Sequence, residues 1–416
     1  MNGERLGIGF IGSGFMTRFH LRSWVAVRDA DVVGIWSPTA AHREDAAAMA
    51  RDLGVGAARP HDSIAAMVAD PAIDCLWIVG PNHARLACME EIVDALRRGA
   101  GTLRAVACEK PLGRNVAEAR RMLALAREAN LLDGYLENQV FAPAVTRGRE
   151  VLWARGARTA GRPYLARAAE EHSGPHNAWF WRGDLQGGGV LSDMMCHSVE
   201  VARFLVTDPA KPRASLTPKR VTAQVATLKW SRPEYADELR RRFGAEVDYR
   251  RRPAEDFARV MVEFEDDGGL PVLIEATTSW SYVGPGLRLS MEVLGPEYSM
   301  RVSSLDTELE LFLSRGTTQA AAEDLVEKQN AETGLMPIVP NESATYGYEN
   351  ENRHMVSAFR AGERPAETFD DGVAVTEILM AAYMSAERGA TVDFPPAGLE
   401  SFVPAVARAE RAGGES

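Results

Sequence analysis

The stretch LGIGFIGSGFMTRFHLRSWVAV, residues 6–27, joins a short apolar run to a helix-periodic one through a glycine turn. Residues 6–11 read as a buried strand, and apolar positions recur at helical spacing from about Phe15 to Val27. A literal search finds the G-x-G-x-x-G spacing at Gly7, Gly9 and Gly12, but that register lies inside the strand, where there is no phosphate to cradle. The useful register is Gly9, Gly12 and Gly14, on the strand-to-helix turn. Gly12 there permits the tight turn, and Gly14 lets the backbone approach a pyrophosphate at the helix N-terminus. Thr17 stands where a strict fingerprint has its third glycine.

The alternation continues outward from this unit. Strand-like runs at 31–37, 73–80, 103–111 and 131–136 are separated by helix-like runs at 40–54, 84–99 and 115–130. Short connections between them predict a doubly wound parallel sheet, a Rossmann domain over residues 1–138. Beyond 139 the pattern changes. Runs at 220–230, 257–265, 271–282, 287–295 and 299–304 follow one another without helices between them, which predicts a large, mainly antiparallel open sheet. Residues 139–416 are therefore expected to form one α+β domain, its sheet covered on one face by a helix starting near Gly189 and by the closing helices.

The length of 416 residues favours two domains over one core, and 46% hydrophobic with 25% charged residues excludes a largely disordered chain. A formal charge of −11 argues against nucleic acid and anionic membrane as partners. The basic runs Arg240–Arg242 and Arg250–Arg252 are interleaved with Glu238, Glu246, Asp248, Glu255 and Asp256, so 231–256 is read as a solvated insertion. No signal-like N-terminus and no apolar run of spanning length is found, and a cytoplasmic location is expected. Cys75, Cys88, Cys108 and Cys196 form no C-x-x-C pair, so buried free thiols and no metal centre are expected.

The second strand ends in Ser37-Pro38-Thr39 rather than an acidic residue, with Arg43 one turn on. Hydroxyls and an arginine suit a 2′-phosphate, which leans towards NADP, while NAD without the usual carboxylate stays open. A second glycine cluster, Gly187-Gly188-Gly189, precedes an apolar helix in which Asp193 and His197 share one stripe with Glu200. The glycines are read as a side-chain-free approach to a bound ligand.

Three motifs thus occur in order: GFIGSGFM, CEKPLGRN at 108–115 and GGGVLSDMMCH at 187–197. Together they resemble the Gfo/Idh/MocA oxidoreductases, the family of glucose–fructose oxidoreductase and inositol 2-dehydrogenase. DPAIDCLWIVGPN, with its Pro81-Asn82 pair, and the late segment from Ala358 to Val392 extend the similarity over nearly the whole chain. One departure is Arg85, where the family often has a histidine three residues after that pair; His83 stands two residues earlier. Insertions near 208–218 and 231–256, and a polar stretch at 315–345, are further departures.

The resemblance implies an NAD(P)-dependent dehydrogenase or reductase acting on a secondary alcohol or ketone of a sugar, polyol or sugar derivative. It assigns Lys110 to the reacting oxygen and His197 to its proton, a role suited to a side chain whose pKa lies near neutrality. Asp193 would bind substrate hydroxyls or orient that pair. Cofactor contacts are expected from Gly12, Ser13, Gly14, Phe15, Met16, Ser37, Thr39, Arg43, Pro81, Asn82, Glu109 and Lys110. Substrate contacts are expected from Lys110, Asp193, His197, His172, His176, Trp179, Trp181 and Asn138. For Trp179 and Trp181 a core-filling role is equally open, as is a capping role for Asn138. Gly174-Pro175 between His172 and His176 breaks any helix, which argues against a metal pair there. A homodimer or homotetramer through the C-terminal sheet is implied. The alternative class is an NAD-retaining enzyme that cleaves or epimerises a glycoside by transient oxidation.

Overall fold

Strand–helix alternation produces a six-stranded, all-parallel sheet of order β3-β2-β1-β4-β5-β6 in the first of two units. Its strands are β1 (Leu6–Ile11), β2 (Ala30–Trp36), β3 (Arg59–Pro60), β4 (Cys75–Ile78), β5 (Ala105–Glu109) and β6 (Leu132–Leu136). The computed structural model describes residues 5–313 and 334–408. Helices α1 (Phe15–Ser23), α2 (Ala40–Asp52), α3 (Ile64–Ala69), α4 (Asn82–Arg97) and α5 (Val116–Glu128) alternate with the strands. Met67, Leu76, Ile92, Val106 and Leu123 belong to one buried cluster on the face covered by α3, α4 and α5. The strand order reverses between β1 and β4, and in open sheets the crevice beyond the C-terminal ends at such a reversal takes ligands.

The glycines of β1 serve packing. A Cβ on Gly7 would strike the Ala72 carbonyl, and one on Gly9 would meet the Met67 methyl at 2.5 Å. All four cysteines are free and buried, and burial pushes the Cys108 thiol up to about 12.

The units differ from the expected division at 138. The first runs from Met1 to Pro143 and also takes in Ser343–Thr376. Helix Tyr348–Ala361 is held there by Asn352, whose Oδ1 accepts from the Trp77 indole at 3.1 Å while its Nδ2 donates to Ser23 Oγ at 2.9 Å. Phe359 packs edge-on against Trp77. Helix Phe369–Arg388 starts in this unit and ends in the other.

The second unit holds a seven-stranded sheet of order β12-β11-β7-β10-β9-β8-β15. Its strands are β7 (Leu165–Glu171), β8 (Leu216–Ala226), β9 (Phe257–Asp266), β10 (Pro271–Ser279), β11 (Arg288–Gly295), β12 (Tyr298–Ser303) and, after β13 (Leu309–Leu313) and β14 (Gly334–Ile338), which pair with each other in a separate two-stranded sheet, β15 (Val392–Asp393). Neighbours pair antiparallel except β7 and β10. Strict alternation along β7 and β9 to β11 buries one face, with Ala166, Val262, Ile274 and Val293, against the Val190–Val206 helix. The opposite face is charged. Arg167 there pairs with Glu275 at 2.8 Å and Glu292 at 2.7 Å.

The reading of 231–256 as solvated is corrected. Helix Pro233–Phe243 buries Ala236 and Leu239, and Val247, Tyr249, Ala254, Glu255 and Asp256 are buried too. The charges deceive because Glu255 and Asp256 cap backbone N–H groups inside the unit. Of the polar stretch at 315–345, residues 315–333 lie outside the described residues. Among the described residues no helix is long and apolar enough to cross a membrane.

Candidate active site

In the first unit the predicted residues gather at the C-terminal edge of the parallel sheet. Gly12 follows β1, Pro81 and Asn82 follow β4, Lys110 follows β5 and Asn138 follows β6. Gly12 has φ +128, and a Cβ there would meet the Val79 and Gly80 backbone at 3.1 Å, so only glycine fits between the ends of β1 and β4. Gly14 is different. A Cβ on it meets nothing within 4 Å, so what a side chain would fill is open space at the N-terminus of α1. That N-terminus has no side-chain cap and no acidic residue in its first turn, and Ser13, Phe15 and Met16 flank it. An uncapped helix end with open space at its glycine suits a pyrophosphate. These residues fit a dinucleotide, with its phosphates held by the backbone at Gly14–Met16.

At the end of β2, Ser37 is buried and donates to the Thr39 carbonyl at 3.2 Å. Arg43 turns back on its own loop, donating to the Ser37 carbonyl at 3.3 Å and pairing with Asp62 at 2.5 Å. Its charge is thus already answered by a carboxylate that the sequence reading did not single out.

Glu109, expected at the cofactor, points into the unit. Its carboxylate accepts from His20 Nε2 at 2.8 Å and from the Lys110 backbone N–H at 3.1 Å. The tautomer of His20 follows from its other neighbour. The Trp77 indole can only donate, so it fixes the Asn352 oxygen towards itself and turns the amide NH2 towards His20 Nδ1 at 3.0 Å. Nδ1 therefore accepts and Nε2 carries the proton given to Glu109. Burial pushes the Glu109 carboxyl up, but this hydrogen bond and the nearby positive charges outweigh it and hold it below the usual carboxylate range. His20 was missed by sequence reasoning; a histidine on the buried side of α1 was the available signal. Asn138 is also turned inward, donating to the Tyr346 carbonyl at 2.7 Å.

In the second unit, Asp193 and His197 lie on the Val190–Val206 helix and are both buried. The Trp280 indole donates to Asp193 Oδ2 at 3.3 Å, and His197 Nε2 faces the Glu170 carboxylate at 3.9 Å. Glu170, on β7, and Trp280, just past β10, were not predicted; the polar end of an otherwise apolar strand was the only hint for Glu170. Glu200 on the same helix takes Arg203 and Arg213 as partners, a structural role.

The glycines before this helix have another purpose than the one expected. A Cβ on Gly188 would strike the Tyr383 hydroxyl, and one on Gly189 would strike Glu255. Tyr383 donates to Glu255 Oε1 at 2.5 Å, while the Gly189 N–H donates to Glu255 at 2.8 Å and the Ser192 N–H to Tyr383 at 3.2 Å. A tyrosine and a glutamate thus cap the helix, and the glycines make room for them. Asp256, the next residue, accepts the Trp280 N–H on its carbonyl at 2.8 Å, tying the cap to the residue that holds Asp193.

Trp181 is 2% exposed, packed against Trp230, Trp280 and Tyr249, with its indole given to the Pro175 carbonyl. It is core filler, and its faces are taken. Trp179 is half-buried and stacked on Phe180 at 3.7 Å between ring centroids. His172 is buried, its Nδ1 accepting from the Gly174 N–H at 2.9 Å; His176 is half-buried.

Two family models match successive parts of the chain. Residues 6–133 match the oxidoreductase family with an NAD-binding Rossmann fold, and residues 156–301 match the GFO/IDH/MocA C-terminal domain. The chain belongs to the Gfo/Idh/MocA oxidoreductase family. A D-apiose dehydrogenase of Paraburkholderia graminis is 26% identical over 97% of this chain and 93% of its own length. A 1,5-anhydro-D-fructose reductase of Ensifer adhaerens is 30% identical, but the match covers 48% of this chain and 56% of that protein. Among solved structures, GenD2 from gentamicin A biosynthesis, in complex with NAD, superimposes with a TM-score of 0.74 at 26% identity, covering 94% of this chain and 97% of that one. A levoglucosan dehydrogenase in complex with NADH and levoglucosan shares the fold, with a TM-score of 0.68 at 20% identity, covering 94% of this chain and 100% of that one.

Proposed function

We propose that this protein is an NAD-dependent dehydrogenase or reductase acting on a secondary hydroxyl or ketone of a sugar or polyol. The observation that carries the reading is the buried pair on the Val190–Val206 helix: Asp193 held by Trp280, and His197 facing Glu170 at 3.9 Å. Buried ionisable groups cost stability unless they are paired or hydrogen-bonded, and two of them held in place on one helix suit a functional site. Oxidising a carbinol to a ketone removes a proton from oxygen and a hydride from carbon. His197 takes the proton, and the Glu170 carboxylate favours the imidazolium that results. Asp193, fixed by the Trp280 indole, accepts hydrogen bonds from neighbouring hydroxyls of the substrate. Lys110, by resemblance, donates to the reacting oxygen and favours the alkoxide. A bound nicotinamide supplies the hydride acceptor.

The names of the relatives, a reductase and dehydrogenases of sugars, support a sugar substrate. NAD rather than NADP is supported by Arg43, whose guanidinium is already paired with Asp62. We further propose a cytoplasmic homo-oligomer that associates through the open face of the seven-stranded sheet, to be checked by light scattering on the eluting protein.

The test is a panel of sugars and polyols with NAD and with NADP, read by absorbance of the reduced nicotinamide, on wild type, K110M and H197A. Wild type should turn over at least one sugar or polyol and both variants should lose most of it. Unchanged turnover in either variant overturns its catalytic role. Cofactor retained through purification, with substrate consumed and no net reduced nicotinamide, would move the reading to the redox-neutral class.

A further inference from the structure

Arg85 lies in the first turn of α4 and is buried, with 6% of its surface exposed. Its Nε donates to the Gly80 carbonyl at 2.9 Å, and its Nη1 donates to the Glu109 carbonyl at 2.8 Å and the Pro111 carbonyl at 2.5 Å. The first carbonyl belongs to the loop after β4, which carries Pro81 and Asn82. The other two flank Lys110 on the loop after β5. One planar guanidinium thus fastens the two loops together and grips the backbone on both sides of Lys110. The Lys110 N–H is itself held by Glu109 Oε2 at 3.1 Å, so this stretch of backbone is tied at three consecutive residues.

The chemistry of the side chain explains why it has to be arginine here. Three carbonyls converging from two loops need several donors in a fixed fork, which a guanidinium provides. A neutral imidazole has one N–H and could satisfy one of them. A lysine ammonium carries the charge but lacks the rigid spacing between donors. The buried charge sits among carbonyl dipoles, and it also helps to hold Glu109 ionised. Nothing in this arrangement reaches for solvent or for an acidic surface partner; every observed bond ends on backbone that carries a predicted site residue.

We infer that Arg85 is a positioning residue for Lys110, setting the height and direction from which that amine leaves the sheet edge by clamping the carbonyls of Glu109 and Pro111 to that of Gly80. The inference rests on the proposed role of Lys110 in turnover. Misplacing a catalytic group by about 1 Å costs on the order of 100-fold in rate.

A double-mutant cycle tests it, with R85Q and R85K each combined with K110M, whose residual turnover is read at raised enzyme concentration. The readouts are kcat, KM for the best sugar, affinity for reduced nicotinamide by fluorescence, and melting temperature. R85K, which keeps the charge, guards against an R85Q that does not fold. Alone, each Arg85 variant should lower kcat by about 10- to 100-fold while changing KM and cofactor affinity by no more than about 2-fold. In the Lys110-variant background the same substitutions should change kcat by less than about 2-fold, since the group they misplace is already gone. An equal fall in kcat in both backgrounds overturns the inference and leaves the function standing. Wild-type turnover in K110M overturns the reading of the site, and this inference with it. An R85K enzyme with wild-type kcat also overturns the inference.

Discussion

The hydroxyl of Tyr383 occupies the volume that a side chain at Gly188 would need. The same hydroxyl bonds Glu255 and the N–H of Ser192, so displacing it uncaps the helix that carries Asp193 and His197. Gly188→Ala should therefore lose stability, by about 1–3 kcal/mol of overpacking, before any selective loss of turnover. Urea denaturation alongside kcat will separate the two. A G188A enzyme of wild-type stability with no turnover would restore the idea that this glycine makes room for substrate.

Glu351 is fully buried in the first unit, and neither carboxyl oxygen has a hydrogen-bond partner. Burial, with Glu109 and Glu137 near it, pushes its pKa well above the ordinary carboxylate value. The folded state then keeps a proton that the unfolded chain gives up. Stability is present below the ordinary carboxylate pKa and is lost as pH rises from there towards the raised folded value. Glu351→Gln, which copies the neutral acid, should be at least as stable as wild type at about pH 8 and should flatten the fall in stability between about pH 5 and pH 8. A fall as steep in the variant as in wild type would show that Glu351 is already held as an anion in the folded state.

Asp62 answers the charge of Arg43, which would otherwise face the end of β2. Asp62→Ala should free the guanidinium for a 2′-phosphate and raise the kcat/KM ratio of NADP to NAD by about 10-fold, the scale of one charge-assisted contact. An unchanged ratio would mean that Arg43 does not reach the ribose site.

Trp181 and Trp179 stand two residues apart and should behave differently. Trp181→Ala removes a buried indole and should cost about 3–5 kcal/mol, seen in urea denaturation. The milder Trp181→Phe should leave KM for sugars unchanged. A KM that rises several-fold in Trp181→Phe, at wild-type stability, would put this ring at the substrate.

What could be read from the chain was what depends on near neighbours. The β1–α1 turn was visible because Gly12 and Gly14 answer constraints within a few residues, and the alternation of the first domain follows from burial on both faces of a parallel sheet. The triple glycine was visible but misassigned, because the side chain that needs its space, Tyr383, lies nearly two hundred residues on. Glu255 and Asp256 looked solvated for the same reason: a charged run gives no sign of which carboxylates cap distant backbone. His20, Glu170 and Arg85 are ordinary residues in ordinary positions, and only their partners reveal them. Arg85 did stand out, but as a mismatch with a family pattern rather than as a clamp.

The helix Tyr348–Ala361 has a consequence for the order in which the molecule can be made. Asn352, which fixes both Trp77 and His20, is synthesised long after the sheet it completes. A nascent chain released from the ribosome at residue 143 would hold all six parallel strands yet leave His20 and the Trp77 indole without that amide, until the part of the chain up to Thr376 had emerged. The nucleotide-binding half is thus first to begin and among the last to finish, and the second unit's long sheet is translated while the first still waits for its closing piece.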